Sequence, residues 1–95
     1  MPRLAIIRQI YFLPGREHEG AGWLTDTEPR RRDAGQIAQW VLRGQIDTHE
    51  FVWIQVWSSY EAYDNWRRSG DRERFVAERA RYMTHQPTRM FDLLE

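Results

Sequence analysis

The sequence predicts an α+β fold in which helices on one face cover a four-stranded antiparallel sheet, in the order βαββαβ. Three observations carry this. Strand-like segments open the chain, fill its middle and close it. Two stretches of helical periodicity separate them. The second and third strands are joined by "QIDTHE", a loop of hairpin length, so they are antiparallel neighbours.

"RLAIIRQIYFL" (3–13) is β-branched and aromatic and stops at Pro14-Gly15, which is strong turn punctuation, so it forms the first strand. From Arg16 to about Asp26 the pattern reads as helix, although Gly20 and Gly22 each cost about 1 kcal/mol relative to Ala in a helix interior. Pro29 ends or restarts that helix, because proline lacks the amide donor and clashes with the preceding turn. "GQIAQWVLRG" (35–44) is the second strand and "FVWIQVW" (51–57) the third. Ser58 with Glu61 fits the S-x-x-E capping box, which starts a helix at about Ser59. Ala62, Tyr63, Trp66 and Ser69 then share one helical face, opposite Asp64, Arg67 and Arg68. Ser69-Gly70-Asp71 interrupts the helix, with Asp71 placed to cap a second segment on which Phe75, Arg79, Ala80 and Met83 recur. "PTRMFDLL" (87–94), after Pro87, is the last strand.

This order is that of the ferredoxin-like split βαβ arrangement. With helices on one face, the other sheet face needs a partner or solvent. In the third strand Phe51, Trp53, Gln55 and Trp57 alternate with Val52, Ile54 and Val56, so both faces read as buried. A homodimer packing sheet against sheet satisfies both, since monomers rarely carry large apolar patches. The 95 residues suit one domain, 1–95. At that size only about 60 to 65% of the unfolded surface is buried on folding, which again favours a second subunit.

Lys+Arg and Asp+Glu are both 14, so no long-range field favours nucleic acid or anionic membrane. The Arg30-Arg31-Arg32 run reads as a solvated loop rather than a phosphate clamp. Cysteine is absent, which removes disulfide and thiol chemistry and permits a reducing compartment. The short N-terminal apolar run meets Arg8 and Gln9 long before the roughly 20 residues needed to span a bilayer, so a cytoplasmic, soluble protein is expected. His18, His49 and His85 form no metal-ligand spacing, and no phosphate-binding loop, dinucleotide fingerprint or nucleophile elbow occurs, so neither a metal nor a cofactor is expected. An aromatic share of 14% suits a core, an interface or a pocket for a planar ligand.

Trp57, Ser59, Ala62, Trp66 and Ser69 reproduce a W-x-S-x-x-A-x-x-x-W-x-x-S pattern. Here the chain resembles the antibiotic-biosynthesis-monooxygenase-like proteins, a branch of the dimeric α+β barrel superfamily. The opening strand ending in Pro14-Gly15 and the final strand after a proline are similar too. The resemblance implies a homodimer whose sheets form a barrel, with a cleft between each sheet and its helices. It implies cofactor-independent oxygenation of phenols, heme degradation or another role. Heme-degrading members use a first-strand asparagine, a second-helix tryptophan and a histidine soon after it. Trp66 matches, but Arg8 stands at the asparagine position and the region just after Ser69 lacks a histidine, so the axial ligand is missing.

An electron-rich phenol, once deprotonated, can itself reduce dioxygen, so such a protein needs only a pocket, a base and an anion partner. Trp66 and Tyr63 are candidates for the wall, His85 or His49 for the base, and Arg8, Arg79 or Arg89 for the anion partner. The candidate catalytic set is His85, Arg8 and Tyr63, and the candidate substrate-binding set is Trp66, Trp57, Arg79 and Gln55. Each has a plainer role open to it: core packing for Trp66 and Tyr63, an interface or edge ion pair for Arg8, surface exposure for the histidines. Gln9, Gln39 and Gln55 place one amide in each of three strands and ring a wet cavity if they share a face. The expected function is oxygenation of an aromatic polyketide or related phenolic secondary metabolite. The alternatives are a non-oxidative cyclase, isomerase or dehydratase in the same cleft, and a non-catalytic dimer holding a hydrophobic ligand. Met1-Pro2 and Gly15-Arg16 also resemble the tautomerases, which use an N-terminal proline amine, but Arg3 and the tryptophan-serine motif argue against that role.

Overall fold

In the computed structural model, which describes residues 2–95, Arg3–Phe12 (β1) runs through the centre of the sheet. Met1, on whose removal an N-terminal proline amine depends, lies outside the described residues. After β1 come Glu17–Asp26 (α1), Glu28–Ala34 (α2), Gln36–Arg43 (β2), Phe51–Trp57 (β3), Tyr60–Arg67 (α3), Gly70–Arg79 (α4), Met83–His85 (β4) and Arg89–Leu93 (β5). The order β2-β3-β1-β4 is antiparallel throughout and gives the predicted α+β fold.

The fourth strand position is filled by two pieces. β5 pairs with Arg3–Ile7 and β4 with Ile10–Phe12, both on the edge of β1 that β3 leaves free. Between the pieces Pro87 lacks a ladder donor, and the amide of Gln86 still donates to the Gln9 carbonyl at 2.9 Å. The helical stripe expected to reach Met83 stops earlier. α4 ends at Arg79, Ala80 is exposed, and Met83 is buried as a strand residue.

Proline restarts the first helix rather than ending it, since Pro29 sits in the first turn of α2, where an amide is not needed. Two expected caps move by one or two residues. Ser59, not Ser58, caps α3, its hydroxyl accepting from the Ala62 amide at 3.1 Å. Ser69, not Asp71, caps α4, accepting from Arg72 at 3.3 Å. Ser58 is otherwise engaged: its amide donates to Gly35 at 2.9 Å. Gly35, at φ 121°, ends α2, and a Cβ there would lie 2.8 Å from that of Ala62.

Alternation in β1 sends Leu4, Ile6, Arg8 and Ile10 to the helix side, where Trp57, Gln55 and Trp53 of β3 stand opposite the first three. Leu24, Tyr63, Trp66 and Phe75 from the helices close the core over them. Trp57 is its hub, with ring centroids 5.4 Å from Tyr63 and 6.3 Å from Trp66. Glu78 ties α4 to the first helices, accepting from Trp23 Nε1 at 3.2 Å and Arg30 Nη2 at 2.7 Å. On the far side of the sheet Ala5, Ile7, Val52 and Ile54 lie between Trp40, Leu42 and Phe91, and no helix among the described residues covers them. Trp40 and Leu42 are 52% and 49% exposed.

Candidate functional site

Between the sheet and the helices lies a narrow cavity of about 10 Å³, room for a single water. Its walls are of two kinds. Trp53, Tyr63, Trp66 and Phe75 supply aromatic surface, while Arg8, Arg31, Arg72 and Arg79 bring four guanidinium groups and Gln55 an amide.

Arg8 is the centre of this arrangement. It is 4% exposed because strand alternation points it inward between Ile6 and Ile10. A buried guanidinium must be satisfied, and here neutral groups do it. Nε donates to Thr88 Oγ1 at 3.0 Å, Nη2 to the Tyr63 hydroxyl at 3.1 Å, and Nη1 to Gln55 Oε1. Gln55 in turn donates to Gln36 Oε1 at 2.6 Å, and Gln36 Nε2 is left without a partner.

Arg31 is the larger surprise. Its run forms part of α2, not a solvated loop, and Arg31 is 0% exposed. Nη1 donates to Thr27 Oγ1 at 2.7 Å, and Nη2 to the Leu24 carbonyl at 2.7 Å and Gln39 Oε1 at 2.9 Å. Its Nε has no partner. The guanidinium carbons of Arg8 and Arg31 lie 5.1 and 5.2 Å from the Trp53 ring, so two cations share one indole.

Among the described residues no carboxylate lines the cavity. Among the described residues seven other arginines form ion pairs, and these four form none. Burial pushes Arg31 down to about 10, with partial compensation by Glu28 and further lowering by Arg30 and Arg8. Arg79 is likewise pushed down to about 10, by burial and then by the charges of Arg8 and Arg72. Burial also lowers Arg8, opposed by Tyr63 and reinforced by Arg72. Arg31 and Arg79 therefore remain charged at neutral pH and repel their neighbours across a small space.

Of the residues singled out from sequence, Arg8, Gln55, Tyr63, Trp66 and Arg79 come together here. Trp57 packs behind Tyr63 and Trp66 and does not line the cavity. His85 stands outside the lining, in β4 opposite Ile10, with Nδ1 2.5 Å from the Gln86 carbonyl. A carbonyl only accepts, so Nδ1 carries the proton and Nε2 is the free base. Burial chiefly, and then Arg79, Arg8 and Arg72, hold its pKa below the ordinary value. His49 is exposed in the β2–β3 turn, and Arg89 stacks at 5.1 Å on Phe91, away from the cavity. Gln39 and Gln55 share the helix side, but Gln9 faces the far side of the sheet, opposite Val52. Gln36 takes the place expected of Gln9.

Arg31, Trp53, Arg72 and Phe75 were the lining residues that sequence did not assign to a site. Arg72, Phe75 and Arg79 are spaced three, four and seven apart, so the stripe read from Phe75 onward contained Arg72 one turn earlier. Trp66 has a second position of note. It also lines an open groove of about 310 Å³ beside Arg30, Asp33, Asn65, Ser69 and Asp71, and so separates that groove from the cavity. Among the described residues no three histidine, cysteine or acidic side chains cluster as a metal site, and no helix is long and apolar enough to cross a membrane.

No protein-family model matches the chain, and no curated protein sequence matches it. Solved structures do. A cofactor-independent oxygenase, SnoaB from Streptomyces nogalater, superposes with TM-score 0.84 at 14% identity, over 100% of this chain and 96% of that one. A provisionally named antibiotic biosynthesis monooxygenase from Chloroflexus aurantiacus gives 0.78 at 13% identity, over 98% and 94%. The protein PA3566 from Pseudomonas aeruginosa gives 0.69 at 20% identity, over 100% and 95%. At such identities the likeness shows the fold, which is that of the antibiotic-biosynthesis-monooxygenase-like structures.

Proposed function

We propose that this protein is a homodimeric, cofactor-independent monooxygenase-like enzyme that oxidises a phenolic aromatic compound of the aromatic-polyketide kind. The observation that carries the reading is Arg8, buried without a carboxylate beside Tyr63 and aromatic walls, in a fold shared with an oxygenase that uses no cofactor. A cavity of about 10 Å³ holds no aromatic ring, so Trp66 swings toward the groove it borders to admit the substrate.

In the proposed reaction the phenolic oxygen lies toward Arg8 and Tyr63, whose donors stabilise the phenolate. His85 Nε2, neutral near pH 7, takes the proton through water. The phenolate passes one electron to dioxygen, the two radicals combine at a ring carbon bearing hydrogen, and the resulting hydroperoxide loses water to leave a carbonyl. One phenol and one dioxygen thus give one quinone and one water, and all four electrons come from the substrate. No outside reductant is needed.

Homodimerisation is supported by the uncovered apolar sheet face around Trp40, Leu42, Ile54 and Phe91. The test of function is oxygen uptake by the purified protein with hydroxynaphthalene and anthrone substrates. Uptake equal to product formed, and lost in Arg8→Met, is the expected result. Turnover unchanged under nitrogen would move the site to non-oxidative cyclisation, isomerisation or dehydration. Binding without turnover in either atmosphere would leave a ligand-holding dimer.

A further inference from the structure

Four guanidinium groups around one cavity are more than a phenolate needs. Arg8 already has Tyr63 beside it for that oxygen, and each of its nitrogens donates once, to Thr88, Gln55 and Tyr63, which leaves two N–H groups for a phenolate. Of the others, Arg72 and Arg79 are idle and Arg31 keeps one free donor. Arg72 and Arg79 donate no side-chain hydrogen bond and form no ion pair among the described residues, and Arg31 Nε is buried without a partner. Arg72 and Arg79 lie seven residues apart on α4, about 10 Å along its axis, with Phe75 between them on the same stripe. α4 therefore presents a cation on either side of an aromatic ring.

We propose that the site takes an aromatic ligand carrying a carboxylate, bound by Arg72 and Arg79 while its ring lies against Phe75 and Trp66. The planar fork of arginine matches a carboxylate with two parallel hydrogen bonds, and the aromatic walls select a flat carbon skeleton over a bare inorganic anion. Ligand charge also supplies what the protein withholds: a counter-ion to a buried cluster that has no acidic side chain. After burial, the lowering of Arg31 and Arg79 by the charge of Arg8, and of Arg8 by that of Arg72, agrees with a cluster short of negative charge in the free protein. This assignment rests on the cavity being the ligand site, and not on the oxygen chemistry.

The test is calorimetric titration of the intact purified protein under nitrogen, where no turnover occurs. 1-Hydroxy-2-naphthoate is compared with its neutral amide, 1-hydroxy-2-naphthamide, and with inorganic phosphate. The carboxylate is expected to bind at least about tenfold tighter than either, about 1.4 kcal/mol. Arg79→Gln removes that advantage and leaves amide affinity within about twofold, whereas Arg43→Gln, on an exposed strand end, leaves both unchanged. Should Arg79→Gln fail to fold, Arg72→Gln is read the same way, and the wild-type comparison needs no variant. Amide binding as tight as the carboxylate, phosphate binding as tight, or no carboxylate binding at millimolar concentration overturns the proposal. Tight carboxylate binding without oxygen uptake sinks only the oxygenase reading.

Discussion

Gln55→Glu is a near-isosteric change that gives the arginine cluster the carboxylate it lacks. The new oxygen takes the place of Gln55 Oε1 as acceptor for Arg8 Nη1. The opposite oxygen meets Gln36, whose Oε1 now accepts from Gln55 and whose Nε2 has no partner. A flip of the Gln36 amide turns that idle donor toward the carboxylate. Satisfying one buried donor is worth about 1–3 kcal/mol, and a charge-assisted bond adds about 1 kcal/mol over a neutral one. Desolvating the carboxylate costs several kcal/mol, offset by four nearby cations that form no ion pair among the described residues. The net expectation is a gain of about 1–2 kcal/mol, which in a chain of this size raises Tm by about 5–15 °C. The assay is thermal unfolding by circular dichroism at pH 7 and low salt, paired with naphthoate titration. Stability should rise while carboxylate affinity falls at least about tenfold. A lower or unchanged Tm would refute the idea that the cluster is uncompensated, and retained affinity would refute its role in binding.

Gly35→Ala should destabilise the protein by about 2–5 kcal/mol, combining positive-φ strain with overpacking against Ala62 and Ser58, as measured by urea unfolding. A loss under about 1 kcal/mol would contradict the close approach. His85 has a folded pKa below its unfolded value, so its contribution is complete above about pH 6.5 and is lost as pH falls through the unfolded toward the folded value. His85→Gln should flatten this acid-side decline, and in the proposed oxygenation should lower turnover while leaving ligand affinity unchanged. Trp40→Arg places a charge in the exposed apolar face and should convert a dimer to monomer in sedimentation equilibrium, with Trp66 environment unchanged by fluorescence. A protein that is monomeric before mutation would rule out that face as a self-interface.

Much of the fold was legible because local signals were strong and mutually consistent. β1, β2 and β3 follow from alternation and punctuation, and their observed limits fall within one residue of the sequence reading. The failures have local causes. Two adjacent serines, Ser58 and Ser59, can each cap a helix, and only the Ser58–Gly35 backbone bond selects between them. β4 has three residues, too short for any periodic signal, and exists because β1 offers it a free edge. The site was half legible. Arg8 was conspicuous as a charge within an apolar strand, and Tyr63, Trp66 and Arg79 followed from helical spacing. Arg31 was hidden by its neighbours, since a run of three arginines looks solvated until the helix turns one of them inward over Trp53. Which glutamines share a face depended on register, and the irregularity between Gln36 and Ala38 lies beyond what alternation predicts.

The most direct test of the site is a crystal structure of the protein with 1-hydroxy-2-naphthoate bound under nitrogen. The ligand is expected between the sheet and α4, its carboxylate on Arg72 and Arg79 and its hydroxyl toward Arg8 and Tyr63. Trp66 should be displaced toward the groove formed by Arg30, Asp33 and Asn65. A ligand lodged on the outer sheet face or in that groove, with Trp66 in place and the arginine cavity still closed, would contradict the account.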